Sequence, residues 1–158
     1  MNRSADSDVA RLAEQLKSCF SGSPWHGSSL MELLRQTPVD LAPAKPLEHA
    51  HSIWELVLHV TAWNQAVARR LRGEKLELAH EQDWPAVTDF GEAAWQEAIK
   101  ALEQSHRTLQ GAVAKLSDTQ LSTKVANRDH DYRFMLNGAI THSVYHAGQI
   151  ALLRKSSR

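Results

Sequence analysis

The stretch FMLNGAITHSVYHAGQIALL, residues 134–153, decides the fold of this chain. It contains no Asp, Glu, Lys or Arg, and it is as long as a membrane span. Polar side chains within it disfavour insertion into lipid, namely those of Asn137, Thr141, His142, Ser143, His146 and Gln149. The stretch is therefore predicted to lie in a helix that is buried in protein and covers about residues 132–155.

His142 and His146 are four residues apart, about one helical turn, so both imidazoles project from the same helix face. Two imidazoles on a largely buried helix are costly to desolvate without a partner, and a divalent metal ion is a natural partner. A histidine pair is weak evidence by itself, because buried histidines more often hydrogen-bond a carbonyl group. A metal site is the leading hypothesis, and histidines that only stabilise the core are the alternative.

Helical spacing of apolar residues continues through the rest of the chain. It predicts helices over about residues 6–20, 30–36 and 53–72, and a third long helix that begins at Thr88 or Asp89 and precedes a loop at 117–131. Capping-box spacing marks two starts, Ser29 with Glu32 and Ser52 with Glu55. Four long helices and no strand pattern predict one all-α domain over residues 1–158, a four-helix bundle. The long connections predict that at least one crosses the end of the bundle.

Composition excludes several classes of partner. The formal net charge is zero, so no basic field is present to hold nucleic acid or an anionic membrane. Cys19 is the only cysteine, which excludes an intrachain disulfide and fits a reducing compartment. The first residues lack the apolar core of a signal peptide, so a cytoplasmic location is expected.

A metal site needs a third ligand, and His59 is the best candidate. It flanks the apolar stripe of the predicted helix over residues 53–72, beside Leu56 and Trp63. Three neutral imidazoles leave coordination positions open, as in catalytic zinc sites. Glu55, one turn earlier, is in reach of His59 but is already assigned to the helix cap.

Other residues are candidates for the surroundings of the site. His106 occupies an inward position of the third long helix, where a hydrogen-bonded core histidine is a commoner interpretation than a fourth ligand. Trp63 and Trp25 are the tryptophans predicted to wall a pocket, and Gln149 shares the helix face of the histidine pair. His26 fits a pocket mouth or a surface loop equally well. The remaining histidines, predicted to lie on the surface, are His49, His51, His80 and His130.

The stretches SIWELVLHVTAWN (52–64) and ITHSVYHAGQIALLRK (140–155) together resemble the DinB/YfiT-like metalloenzyme family. PWHGSSLMELL (24–34) and DWPAV (83–87) extend the resemblance over nearly the whole chain. It implies a four-helix bundle with a crossed, non-sequential helix order, often a homodimer. It also implies one divalent metal ion, zinc or nickel, bound by His59, His142 and His146.

Some members of that family are transferases or isomerases that use low-molecular-weight thiols. The resemblance therefore implies a divalent-metal-binding protein that acts as a thiol-dependent S-transferase on a small-molecule thiol. No basic cluster in the sequence marks a site for the carboxylate of such a thiol. The alternatives left open are a metal-dependent hydrolase, a non-catalytic stress-related dimer that binds metal, and an interaction module without metal.

Overall fold

The computed structural model describes residues 7–156, and every regular segment within that range is helical apart from one isolated bridge between Lys124 and Asp131. The all-α prediction is confirmed. The elements are α1 (Asp8–Ser21), α2 (Leu30–Arg35), α3 (Ile53–Arg70), α4 (His80–Asp83), α5 (Glu92–Val113), a short 3₁₀ helix (Asp118–Ser122) and α6 (Tyr132–Ser156).

The long helices pack in a ring. Helix α1 packs against α5 and α6, and α3 packs against the same two helices, whereas α1 and α3 do not pack against each other within residues 7–156. These packing partners support the crossed helix order, which remains an expectation from the resemblance. The chain also has no helix, among the described residues, that is long and apolar enough to cross a membrane.

Helices α3 and α5 run parallel, because Trp54 contacts Trp95 and, ten residues further along both helices, Asn64 bonds Ser105. The connection over residues 71–91 must therefore return along the length of the bundle. This return path carries α4 and Trp84 across the middle of α3, where Trp84 stacks on His59. This connection runs along the bundle, whereas the prediction was a crossing over its end, and it passes directly over the candidate site.

The capping residues predicted from the sequence are confirmed at some helix ends and wrong at others. Ser52 and Glu55 form the predicted capping box, with Ser52 N to Glu55 Oε2 at 2.7 Å, and α3 ends at Arg70, before Gly73 at φ 86°. The box predicted at Ser29 is wrong, because Ser29 makes no side-chain cap bond. The predicted start of α5 at Thr88 or Asp89 is also wrong, because Gly91 is its N-cap. The Asp89 carboxylate accepts a hydrogen bond from the Gly91 N–H at 2.8 Å.

Two boundaries near the chain ends need comment. The predicted start of the first helix at Asp6 lies outside the described residues, and α1 begins at Asp8 behind the cap of Ser7, whose side chain accepts from Ala10 N. The loop predicted over residues 117–131 contains the 3₁₀ helix. Both differences are local and leave the positions of the histidines unchanged.

Candidate metal centre

His59, His142 and His146 converge although they come from two helices. The Nε2 atom of His142 lies 3.0 Å from Nε2 of His59 and 3.0 Å from Nε2 of His146, and the three ligand atoms all lie within 4.8 Å of one another. Two of these side chains are buried, and that of His142 is partly buried. The sequence therefore named the residues that the fold brings together, and their role as metal ligands is taken up below.

The hydrogen bonds of Nδ1 in His59 and in His146 determine the tautomers of these two rings. His59 Nδ1 lies 2.7 Å from the Asp83 carbonyl oxygen, and His146 Nδ1 lies 2.6 Å from Gln149 Oε1. Both oxygens only accept, so each Nδ1 carries the hydrogen and donates it. The Nε2 atoms of His59 and His146 consequently present lone pairs to the space between the helices. Outer contacts of this kind orient the histidines of metal sites.

The Nε2 lone pairs of His59 and His146 both face Nε2 of His142. Its Nε2 carries one hydrogen at most, yet it faces the lone pairs of His59 and His146 at equal distance. A cation between the three rings satisfies all of them at once. Metal–nitrogen bonds of about 2.1 Å place neighbouring ligand nitrogens about 3.0–3.4 Å apart, which matches the observed spacing. The residues present therefore fit a divalent ion.

Burial favours the neutral form of His142 and His146, which is the form that binds a metal ion. Desolvation, with the nearby charges of His146 and His59, lowers the pKa of His142 from 6.5 to about 3. Desolvation also lowers the pKa of His146, although its bond to Gln149 acts in the opposite direction. Both shifts favour the uncharged form of these rings at neutral pH, and an uncharged imidazole has one nitrogen lone pair for a metal ion.

Two tryptophans cover the histidines. Trp84 stacks on His59 with ring centroids 3.8 Å apart, and it also stacks with the exposed ring of His51 at 3.6 Å. Trp63 Nε1 donates to Asp83 Oδ1 at 2.6 Å, and that carboxylate also reaches His59 Nδ1 at 3.0 Å. Trp63, which was predicted from the sequence to wall a pocket, also lines a cavity beside these histidines, whereas Trp84 was not singled out from the sequence. His51 is exposed as predicted but is not simply solvated.

A cavity of about 440 Å³ opens beside His59 and His142, and neither Trp84 nor Gln149 is among the residues that line it. Its wall is largely apolar, with Trp63, Phe134 and Met135 among the lining residues. Small-molecule sites are commonly apolar cavities of this size with a few polar groups. The centre is thus reachable by a small molecule.

The other candidate residues lie elsewhere, apart from Gln149, which bonds His146. His106 stacks on Phe20 of α1 at 3.7 Å and does not join the histidine group. His26 lines a different cavity with Gln36 and Arg154, and Trp25 is fully exposed. Glu55 keeps its cap position and bonds Lys45 at 2.8 Å, so it does not orient His59. His106 is thus a core residue and not a member of the group, but its buried Nε2 has no hydrogen-bond partner among residues 7–156, contrary to the hydrogen-bonded interpretation. His26 and Trp25 do not contact the three histidines in the described part of the chain.

Asp83 is the important residue that sequence reasoning missed. It lies in a one-turn helix with no periodic pattern, and only its place in the DWPAV segment of the resemblance marked it. Its carboxylate and backbone carbonyl both contact His59, because the crossing connection brings them there.

Replacing Asp83 with alanine is expected to weaken zinc binding about tenfold, because an outer partner of a ligating histidine contributes about 10–100-fold and the backbone carbonyl would remain. Titration calorimetry on the untagged variant measures this. Glu81→Ala is the matched control, since Glu81 is an exposed carboxylate on the same short helix. Zinc affinity of Asp83→Ala within twofold of wild type would refute the orienting role.

Comparison with known protein families identifies one family. The sequence model of the DinB superfamily matches residues 25–150, a range that includes all three histidines and Asp83. No curated protein and no solved structure matches the chain.

Proposed function

This chain belongs to the DinB superfamily, and on that basis we propose that it binds one divalent metal ion, zinc or nickel, and acts as a metal-dependent S-transferase of a small thiol. The observation that carries the proposal is the convergence of three Nε2 atoms beside an open cavity. When bound, such an ion would favour the thiolate form of a thiol and polarise a carbonyl group.

The chain's own residues support binding and orientation. Asp83 and Gln149 hold the Nδ1 hydrogens of His59 and His146, so the rings keep one orientation before any ligand arrives. Trp84 covers one face of His59 and limits access of water from that direction. The remaining approach is through the cavity, whose apolar wall suits the organic part of a substrate.

A catalytic centre is favoured over a purely structural one. Structural zinc sites usually have four protein ligands, whereas catalytic sites usually have three and an open position. Within residues 7–156 no fourth His, Cys, Asp or Glu joins the group, and His106, the candidate fourth ligand, packs on Phe20 instead. The cavity lies where an open position would need it.

The thiol in the proposed reaction must come from outside the chain. Cys19 is the only cysteine, and its Sγ donates to the Leu16 carbonyl at 3.4 Å. Burial raises the pKa of this thiol to about 11, so it is almost entirely protonated at neutral pH and a poor nucleophile. A single buried cysteine also supports the cytoplasmic location that we include in the proposal.

Cobalt substitution tests the proposal. We expect the cobalt-loaded protein to develop a sulfur-to-metal charge-transfer band when 2-mercaptoethanol is added, because an open coordination position accepts the thiolate. His142→Ala, treated in the same way, should show no such band. Absence of the band in a wild-type protein that holds stoichiometric cobalt would contradict thiol chemistry at this centre.

A homodimer is the second part of the proposal, with α6 as the contact. Its exposed face carries uncharged residues at alternating spacings of four and three, as in the seam between two packed helices. They are Phe134, Gly138, Thr141, Tyr145, Gly148 and Leu152. Exposed apolar side chains in such a stripe mark an interaction surface, and a second α6 has the complementary pattern.

Leu152→Lys is expected to convert the dimer to a monomer of 17.7 kDa, because a lysine from each copy would be buried near its counterpart. The side chain is 64% exposed in the single chain, so the monomer itself should remain folded. Light scattering at micromolar concentration gives the mass. Leu47→Lys, on an exposed loop position, is the control that should stay dimeric. A monomeric mass for the wild type would rule the interface out.

A further inference from the structure

The cavity beside the histidines has two chemically different ends. One end is formed by His59 and His142. Along α3 the lining then continues at successive turns through Trp63 and Val67 to Arg70, while α6 adds the apolar wall. Arg128, from the loop before α6, also lines the far end. The cavity therefore leads from a candidate metal centre, across an apolar section, to two guanidinium groups.

Arg70 is an unusual residue for such a wall, since only 5% of it is exposed. Its Nε and Nη2 atoms donate to the Leu76 carbonyl oxygen at 3.2 and 2.9 Å, and no carboxylate bonds it among the described residues. Its Cζ atom lies 5.3 Å from the ring centroid of Trp63, as in a cation–π contact. A buried cation held only by a carbonyl and a ring face is incompletely compensated.

Arg128 adds a second positive charge, and only one carboxylate offsets the pair. Arg128 Nη1 donates to Glu77 Oε1 at 2.8 Å, and the Glu77 side chain is 77% exposed. Both guanidiniums line the same cavity. Burial and then the charge of Arg128 lower the pKa of Arg70, while the charge of Glu77 acts in the opposite direction. Two cations and one exposed carboxylate leave the far end of the cavity with a net positive charge.

This arrangement cannot be read from the order of residues along the chain. No basic cluster is visible along the chain, because Arg70 ends α3 whereas Arg128 lies in the loop before α6. The two arginines therefore come together only in the folded chain, where both line the cavity. Guanidinium groups are well suited to a carboxylate because their donors match its two oxygens.

The size of the cavity limits the ligand. Arg70 Cζ lies 5.3 Å from the Trp63 ring, and that ring lies 5.9 Å from the His142 ring, so Arg70 Cζ is no more than about 11 Å from the His142 ring. After a metal–ligand bond and a charged hydrogen bond are allowed for, at most about 6 Å remain between the two binding ends of a ligand. An aromatic ring or a chain of a few carbons spans that distance.

We propose that Arg70 and Arg128 form the anion-binding end of the substrate cavity, so that the molecule bound there carries a carboxylate separated by an apolar segment from the group that reaches the imidazoles. The metal end of this assignment rests on the proposed function, whereas the anion-binding end rests on the two guanidiniums. In the free protein the Glu77 carboxylate is hydrogen-bonded to Arg128, so it competes with the carboxylate of the ligand for that guanidinium.

Two matched probes test the assignment: 4-mercaptobenzoate, and 4-mercaptobenzamide, which has nearly the same shape but no carboxylate charge. Affinities are measured for metal-free and cobalt-loaded protein from the shift of the Trp63 indole N–H signal. The metal-free form separates the effect of the guanidiniums from that of the ion. We expect about tenfold tighter binding of the carboxylate in both forms, because charge-assisted hydrogen bonds to a guanidinium are stronger than those of a neutral amide.

Two variants give effects of opposite sign. Arg128→Gln should reduce the preference for the carboxylate to within about twofold, since it removes one guanidinium and its charge-assisted bonds. Glu77→Gln should raise the affinity for the carboxylate severalfold and leave that for the amide unchanged, because the competing anion is gone. A merely structural Arg128–Glu77 pair would weaken both probes alike in both variants.

The outcomes separate this assignment from the proposed function. Equal affinities for the two probes in metal-free wild type would overturn the anion-binding end, as would an undiminished preference in Arg128→Gln or no gain in Glu77→Gln. A protein that binds no metal but still prefers the carboxylate would contradict only the metal-dependent function. A protein that binds metal and shows no preference would contradict only the assignment of Arg70 and Arg128.

Discussion

Replacing His142 with alanine is expected to abolish stoichiometric metal binding and to lower the affinity for zinc by roughly 100-fold or more. His142 is the central ligand, because its Nε2 lies 3.0 Å from the corresponding atom of both other histidines. Loss of an outer partner alone costs about 10–100-fold in metal affinity, and loss of a ligand should cost at least the upper end of that range. Metal content after loading and desalting of untagged protein measures the effect.

The same variant should also lose stabilisation by metal. An ion that binds only the folded chain raises its stability by RT ln(1 + [L]/Kd), which is about 4 kcal/mol when the free ion is at 1,000 times Kd. Zinc should therefore raise the melting temperature of the wild type but not that of His142→Ala. The His26→Ala control should respond as the wild type does, because His26 is exposed and lines a different cavity.

Two results would contradict this prediction. Equal and negligible metal content in wild type and His142→Ala would eliminate the metal site, and the histidines would then be core hydrogen-bonding groups. A melting temperature that does not change at saturating zinc would show that no preformed site exists in the folded chain.

The second large effect is expected at His106. Between pH 7 and pH 5, the free energy of unfolding of the metal-free wild type should fall by about 2 kcal/mol more than that of metal-free His106→Leu. The ring stacks on Phe20, and its Nε2 atom is buried with no hydrogen-bond partner among residues 7–156. Burial lowers the pKa of His106 from 6.5 to about 4.

The sign follows from proton uptake. In the unfolded chain His106 takes up a proton near pH 6.5, whereas in the folded chain it stays neutral until about pH 4. The unfolded state thus binds more protons between these values, and stability is lost as the pH falls through that window. Above pH 6.5 the contribution is complete. Charged residues of the neighbouring surface, Arg35, Glu103 and Arg107, line a small cavity beside the ring.

Urea unfolding at pH 7, 6 and 5 measures the free energy of unfolding of wild type, His106→Leu and the exposed-site control His26→Leu. The control should keep the pH dependence of the wild type, since its side chain is exposed to solvent in the folded chain. If wild type and His106→Leu lose stability in parallel over this range, the buried neutral histidine is not a source of the pH dependence.

Local patterns explain which parts of the fold could be predicted. The capping box of Ser52 and Glu55 and the four-residue spacing of His142 and His146 depend on neighbours within one turn, and both predictions are confirmed as local geometry. Asp89 shows where such reasoning fails. Its carboxylate has the chemistry of a cap, but it binds the Gly91 N–H, and Gly91 itself becomes the N-cap.

The surroundings of the site depend on how distant segments cross. Asp83 and Trp84 meet His59 only because α3 and α5 run parallel and their connection returns over the middle of α3. Arg70 and Arg128 share the cavity for a similar reason, since neither lies in a basic stretch of sequence. His59 itself was identified from its place beside the apolar stripe and from the resemblance, and Gln149 from its place on the histidine face of α6. The three histidines and Gln149 were therefore predictable from the sequence, whereas Asp83 and Trp84 were not.

The central claim is that three imidazoles from two helices hold one divalent ion, and anomalous X-ray diffraction from a zinc-loaded crystal tests it most directly. The account predicts one strong anomalous peak about 2.1 Å from the Nε2 atoms of His59, His142 and His146. No peak between these rings, or zinc bound only at exposed histidines, would contradict it.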